Sequence, residues 1–326
     1  MNEVTTEQVA WFAERFDDIS SNVEKVIQGK RPVIDLVGLA LVAEGHVLIE
    51  DVPGVGKTLL AKSVARSIDC GFNRIQFTPD LLPSDVTGVS VWDRNKSEFD
   101  FKAGAIFTNI LVGDEINRAS PKTQSALLEA MEERQVTSDG VTRTLSPPFM
   151  VVATQNPLEH EGTYPLPESQ LDRFMMRVVI GYPSRQKELE ILQTHGVRST
   201  FLDLGAVATL EDVMWMIEVA RQIHVSPSVM TYVVELVEAT RNHPDIMLGA
   251  SPRSALFLQR LARARAASLG REYVIPDDIK ELTGPVLEHR MALRPEAQMR
   301  GVTLSDALDE VVSRLRVPGT TTRIAT

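Results

Sequence analysis

Asp51-Val52-Pro53-Gly54-Val55-Gly56-Lys57-Thr58 decides how the rest of this chain is read. The apolar run His46-Val47-Leu48-Ile49 before it has the character of a buried strand. Leu59-Leu60-Ala61-Lys62-Ser63-Val64-Ala65 after it has that of a helix. A strand, a glycine-rich turn and Gly-Lys-Thr opening a helix form the setting that a phosphate-binding loop requires. Gly54 and Gly56 let the backbone approach phosphates and turn its N–H groups inward. Lys57 brings a point charge to β- and γ-phosphates, and the Thr58 hydroxyl can ligate Mg²⁺. One position departs from the general Gly-x4-Gly-Lys-Ser/Thr spacing, which asks for glycine where this chain has Asp51. The bland alternative is a strand-to-helix turn that holds no ligand, and the rest of the chain has to decide between the two.

Upstream, residues 3–29 carry helical periodicity through Trp11, Phe12, Phe16, Ile19, Val23, Val26 and Ile27, closed by Gly29, and Pro32 opens a second helix over 33–43. Downstream, 73–77 predicts a short strand, and Ser84 is placed to cap a helix after the turn-rich 78–85. Residues 88–92 and 98–101 predict a β-hairpin, inserted where an ordinary α/β unit would run on as helix. The apolar strand that follows ends on Asp114 and Glu115. C-terminal strand ends face the ligand in such sheets, so Asp114 can hold Mg²⁺, directly or through water, and Glu115 can polarise an attacking water. Two acids ending a strand more often mark a solvated turn; downstream of a phosphate loop the balance reverses.

Beyond them come an amphipathic helix over 116–133 with Pro121 near its first turn, and a second hairpin over 135–145 turning at 138–140. A buried strand over 149–154 delivers Gln155-Asn156-Pro157 to the same sheet edge, where Asn156 can hydrogen-bond a γ-phosphate or water. The last strand is expected at 177–180. After Gly181-Tyr182-Pro183 the character changes to helices near 184–195, 210–223, 227–242, 252–268, 276–289 and 305–315. The expected division is therefore an α/β domain over 1–183 and an all-helical domain over 184–326.

Of 326 residues, 43% are hydrophobic and 24% charged, the balance of a soluble globular protein. There is no run of ~18 apolar residues, and the first 14 residues are acidic and polar, so neither a membrane span nor a signal peptide is expected. Cys70 stands alone, which excludes an internal disulfide framework, and it reads as a buried apolar residue rather than a nucleophile. The cytoplasm is the expected location. The six histidines (46, 160, 195, 224, 243, 289) lack ligand spacing, so no protein metal site of their own is expected. The net charge of −10 is uneven: residues 1–183 hold 17 Lys+Arg against 26 Asp+Glu, and residues 184–326 hold 17 against 18. So acidic a first domain disfavours non-specific nucleic-acid binding, which draws its affinity from phosphate contacts.

With these residues in place, the chain resembles the AAA+ ATPases, specifically the MoxR group, across nearly its full length. The stretches that carry the resemblance are EDVPGVGKT (50–58), FTPDLLPSDVTG (77–88), FTNILVGDEINRA (107–119), KTQSALLEAMEERQVT (122–137), VVATQNPLEHEGTYPLPESQLDRF (151–174), LGASPR (248–253) and HRMALRPEAQMRGV (289–302). Asp51 agrees with the MoxR pattern. The resemblance implies an AAA+ fold, a parallel five-stranded sheet with helices on both faces and β-hairpin inserts, followed by an all-α lid domain. Pro53, Gly54, Val55, Gly56, Lys57, Thr58 and Leu59 would bind ATP, with Gly54, Val55, Gly56, Lys57 and Thr58 matching Walker A. Asp114 and Glu115 match Walker B, with Thr58 and Asp114 on Mg²⁺. Asn156 matches sensor 1, Arg173 the arginine finger and Arg253 sensor 2; Val26, Ile27 and Gly29 stand where the family lines its adenine pocket. Arg118 reads as an ordinary interface or capping arginine.

An arginine finger belongs to a neighbouring subunit, so the resemblance implies a ring, expected to be a hexamer. The leading functional expectation is a chaperone-like ATPase that remodels, matures or activates a partner complex. The usual MoxR partners carry a von Willebrand factor A domain, and no Asp-x-Ser-x-Ser motif of that domain occurs in this chain. The competing expectations are the motor subunit of a metal-chelatase-like complex and a nucleic-acid-remodelling ring, the latter at odds with the acidity.

Overall fold

The computed structural model describes residues 4–157, 162–195 and 200–318. Residues 158–161, including His160, lie outside the described residues, as does the side chain of His195. In chain order the elements are α1 (Thr6–Glu24), α2 (Arg31–Val42), β1 (Val47–Glu50), α3 (Lys57–Ser67), β2 (Phe72–Gln76), α4 (Pro83–Thr87), β3 (Val89–Asp93), β4 (Glu98–Lys102), β5 (Ile110–Asp114), α5 (Pro121–Glu133), β6 (Gln135–Ser138), β7 (Val141–Thr144), β8 (Met150–Gln155), α6 (Glu168–Leu171) and β9 (Met176–Val178). Then follow α7 (Arg185–His195), α8 (Leu210–Gln222), α9 (Pro227–Asn242), β10 (Ile246–Leu248), α10 (Pro252–Ser268), α11 (Pro276–Leu287), β11 (Ala292–Leu293), α12 (Pro295–Met299) and α13 (Leu304–Arg314).

Two compact units emerge, residues 15–216, and residues 217–326 together with the first fourteen. In the first, five strands pair parallel in the order β2-β5-β8-β1-β9. Strands β5 and β8 are buried almost end to end, which is why they read as continuous apolar runs instead of alternating ones. Leu48, Leu111, Val151 and Ala153 share one face and join Ile116, Leu127, Leu128, Met131 and Phe174 in a single cluster beneath α5. Their alternates Val47, Ile49, Ile110, Val112, Met150 and Val152 are buried on the opposite face, where α3 packs on β5 and α2 on β9. The five-stranded α/β expectation is met. Both inserts are two-stranded antiparallel hairpins, β3–β4 and β6–β7.

Helix α4 starts two residues earlier than expected. Leu82, not Ser84, is its N-cap, because Pro83 takes the first helical position and the Asp85 carboxylate accepts the Leu82 N–H at 2.9 Å. Ser84 lies inside the helix. Helix α5 starts at Pro121, not at 116 as expected, because Ser120 caps it there, its Oγ accepting from Thr123 N.

The second unit is helical. Helix α10 packs on α9 and α11, and α13 packs on both of these, around Tyr232, Leu236, Leu258, Leu261, Ile279, Leu282 and Val286. Its strand content is the β10–β11 ribbon, three residues against two, which the sequence reading did not anticipate. Among the described residues no helix is long and apolar enough to cross a membrane. Cys70 is half-buried, and burial pushes its thiol up to about 12, so it is no thiolate near neutrality.

Candidate active site

The chain leaves β1 at Glu50 and enters α3 at Lys57. Between them Gly54 and Gly56 both take positive φ, 85° and 93°. A Cβ on Gly54 would meet nothing within 4 Å, and one on Gly56 only Ile27 Cδ1 at 3.8 Å. The demand for glycine here is conformational, not steric: the left-handed residues turn successive N–H groups toward one side of the loop. Gly56 caps α3 without a side chain, leaving the first-turn N–H groups of α3 available to an anion. Lys57 Nζ donates to the Asp51 carbonyl at 2.6 Å and lies 3.5 Å from that of Gln155.

Strand β5 brings Asp114 to this loop. Thr58 Oγ1 donates to the Asp114 carboxylate, 3.0 Å from Oδ2 and 3.3 Å from Oδ1. A hydroxyl and a buried carboxylate in contact form an all-oxygen donor pair, the set that suits a hard cation retaining several waters, so these residues fit Mg²⁺. Thr154 on β8 donates to Asp114 Oδ1 at 3.1 Å and accepts the Glu115 N–H at 3.0 Å. One hydroxyl thereby orients both acids. Glu115 itself is left-handed, φ 57°, ψ 50°, an uncommon conformation for a residue with a side chain and one that collects at functional sites.

Strand β2, beside β5, supplies two residues the sequence reading missed. Arg74 Nε donates to Asp114 Oδ2 at 2.6 Å, and Gln76 Nε2 donates to Glu115 Oε2 at 2.9 Å. The register sets Gln76 beside Asp114. The Arg74 side chain is 54% exposed, so the guanidinium can yield its oxygen to a cation with little loss. Arg118, expected to be an ordinary interface or capping arginine, places its Nη1 3.1 Å from Glu115 Oε2. Polar residues alternating on a strand beside the acid-bearing one would have been the signal, but it is usable only once the strand order is known.

Of the remaining expected site residues, Pro53 and Val55 complete the loop, and Leu59 follows in the first turn of α3. Asn156 is buried just past the C-terminal end of β8. Val26 and Ile27 are buried, and Ile27 reaches Gly56. Gly29 turns at φ 71°, with Lys187 Cγ lying over it. Arg173 pairs through Nε with Glu132 Oε2 of α5 at 2.9 Å. Arg253 belongs to the second unit, in the first turn of α10.

The family model for the ATPase family associated with various cellular activities (AAA) matches residues 46–176, and that for the AAA lid domain matches residues 238–311. The protein YeaC of Bacillus subtilis is 49% identical over 91% of this chain and 93% of its own length. Chaperone MoxR1 of Mycobacterium tuberculosis is 40% identical over 91% of this chain and 80% of its own. A crystal structure of a protein from Cytophaga hutchinsonii superposes with a TM-score of 0.89 at 37% identity, covering 95% of this chain and 97% of that one.

Proposed function

The chain belongs to the MoxR group of AAA+ ATPases and hydrolyses ATP, and from that premise we propose that turnover drives chaperone-like remodelling or activation of a partner protein complex. The observation that carries the chemical half of this reading is the junction of Thr58, Asp114 and Glu115 beside a loop with two left-handed glycines. Residues 53–59 cradle the triphosphate, with Val26, Ile27 and Gly29 beside the base. Lys57 compensates charge on the β- and γ-phosphates. Thr58 and Asp114 hold Mg²⁺, which when bound neutralises charge on the transferring group. Glu115 orients the water and Asn156 holds it in line. Arg173 acts as the finger toward a neighbouring subunit of a ring, expected to be hexameric, and Arg253 is the sensor-2 arginine of the lid.

The chaperone half rests on the 40% identity to a protein named as a chaperone. The client we infer is a protein carrying a von Willebrand factor A domain on a separate polypeptide, met in the cytoplasm. The test is a trap. Glu115→Gln keeps a hydrogen-bonding side chain of the same size but cannot act as base, so ATP binding should survive while turnover falls by about 10²-fold or more. Immobilised Glu115→Gln should retain the client with ATP and release it without, whereas Lys57→Ala should bind neither ATP nor client. Full turnover in Glu115→Gln, or client retention indifferent to nucleotide, would remove the reading.

A further inference from the structure

Asp51 occupies the position where the general phosphate-loop spacing asks for glycine, and nothing in phosphate binding calls for a carboxylate there. The side chain is buried and fully engaged. Oδ2 accepts the N–H groups of Ile180 at 2.8 Å and Gly181 at 2.6 Å, and Oδ1 accepts that of Val52 at 2.8 Å. Ile180 and Gly181 stand just past β9, where the chain leaves the sheet. From their other side Lys30 Nζ donates to the carbonyls of Ile180 (2.6 Å) and Tyr182 (2.9 Å). Gly181, at φ 67°, lets two consecutive N–H groups converge on one oxygen. Glycine at 51 could make none of these side-chain bonds.

The main chain of Asp51 points to the reaction. Its carbonyl accepts Lys57 Nζ, and the N–H of the same peptide unit, on Val52, donates to Asp51 Oδ1. Any reorientation of that one peptide therefore acts on the lysine that meets phosphate and on the carboxylate that grips the exit segment. The Lys57 ammonium has three N–H donors, so it can hold this carbonyl and meet a phosphate at once, which ties the phosphate to that same peptide.

We propose that Asp51 is a positioning residue for ATP hydrolysis, coupling Lys57 and the phosphate loop to Ile180 and Gly181 at the point where the chain leaves the sheet. This rests on the reading of residues 54–58 as the ATP site. Charge-assisted bonds from a buried carboxylate to fixed amides are among the stronger ones a protein makes, so loss of the carboxylate uncouples the two segments without emptying the site.

The experiment joins amide exchange at Ile180 and Gly181 to kinetics of Asp51→Gly and Asp51→Asn in the full chain. Asp51→Gly restores the general loop spacing, so its affinity for the non-hydrolysable analogue AMP-PNP should stay within about threefold of the parent while kcat falls about tenfold. Asp51→Asn keeps one oxygen able to accept Ile180 and Gly181, and should fall between the two. In the parent, AMP-PNP should shift exchange at Ile180 and Gly181 at least about threefold; in Asp51→Gly these amides should exchange faster and ignore the nucleotide. Wild-type kcat in Asp51→Gly, or affinity lost in parallel with kcat, overturns the proposal, because Asp51 would then be inert or only a builder of the loop. If Asp51→Gly does not fold, parental exchange that is indifferent to AMP-PNP overturns it as well. Should Lys57→Ala still bind AMP-PNP, the ATP-site reading fails instead, and the two failures are told apart.

Discussion

His46 is a base that the fold keeps neutral. The Val151 N–H can only donate, so Nδ1 accepts it at 3.0 Å; Nε2 therefore carries the proton and donates to the Met131 carbonyl at 3.0 Å. One imidazole thus ties the start of β1 to β8 and α5, with Phe149 edge-on at 5.6 Å. Burial lowers its pKa to about 4 from 6.5, with the Arg134 charge adding to the shift. The sign follows from linkage: between about pH 6.5 and 4 the unfolded chain takes up this proton and the folded one does not. Stability is complete above that window and falls by about 3 kcal/mol as pH drops through it. His46→Asn should remove this component, so the difference between parent and variant urea midpoints should shrink from pH 7 to pH 4. A constant difference would mean that His46 does not titrate across the transition.

The inserted hairpins separate what holds the fold from what projects from it. At the base of β3–β4, a Cβ on Gly104 would lie 2.3 Å from the Val86 carbonyl oxygen and 2.4 Å from Gly88 N. Both are backbone atoms that cannot yield. Gly104→Ala should therefore destabilise by about 3 kcal/mol, the upper end of overpacking costs. At the exposed end Trp92 and Phe99 stack edge-to-face at 5.2 Å, 50% and 70% exposed. Replacing both with serine should cost less than about 1 kcal/mol. Thermal melts of the two variants check the contrast, and equal shifts would contradict it. These hairpins were legible in the sequence, as were the strand before Asp51 and the glycines at 54 and 56, because local periodicity and turn residues encode them. Ser84 misled because Pro83, one residue earlier, fixes the helix start. Arg74, Gln76 and Thr154 were illegible as site residues: their approach to Asp114 and Glu115 exists only through the order β2-β5-β8, which no local pattern states. The β10–β11 ribbon was hidden for the same reason, pairing Ile246 with Leu293 across a long separation in sequence.

At the scale of the whole molecule, the sequence placed a boundary at 183, where strand character ends, while compactness groups residues 15–216 and sets the first fourteen with the C-terminal helices. Chemistry raises a separate matter, whether one chain suffices for turnover. Lys57, Thr58, Asp114 and Glu115 are brought together within one unit, where Arg173 Nε donates to Glu132 Oε2 of α5 at 2.9 Å. A finger supplied in trans serves the γ-phosphate of a neighbouring subunit, and that is the role we propose for Arg173. Arg173→Ala should then spare ATP binding and cut turnover toward the lower end of the ~10³–10⁵ that such fingers contribute. Mixing decides the matter. Subunits carrying Arg173→Ala retain Glu115, and subunits carrying Glu115→Gln retain Arg173, so a mixed ring contains interfaces where one intact Glu115 meets one intact Arg173. Two inactive parents should regain partial ATPase activity on mixing, in proportion to the fraction of such interfaces. If the mixture stays inactive despite verified co-assembly, or if Arg173→Ala alone turns over at the parental rate, Arg173 does not act across a subunit boundary and the ring mechanism has to be given up.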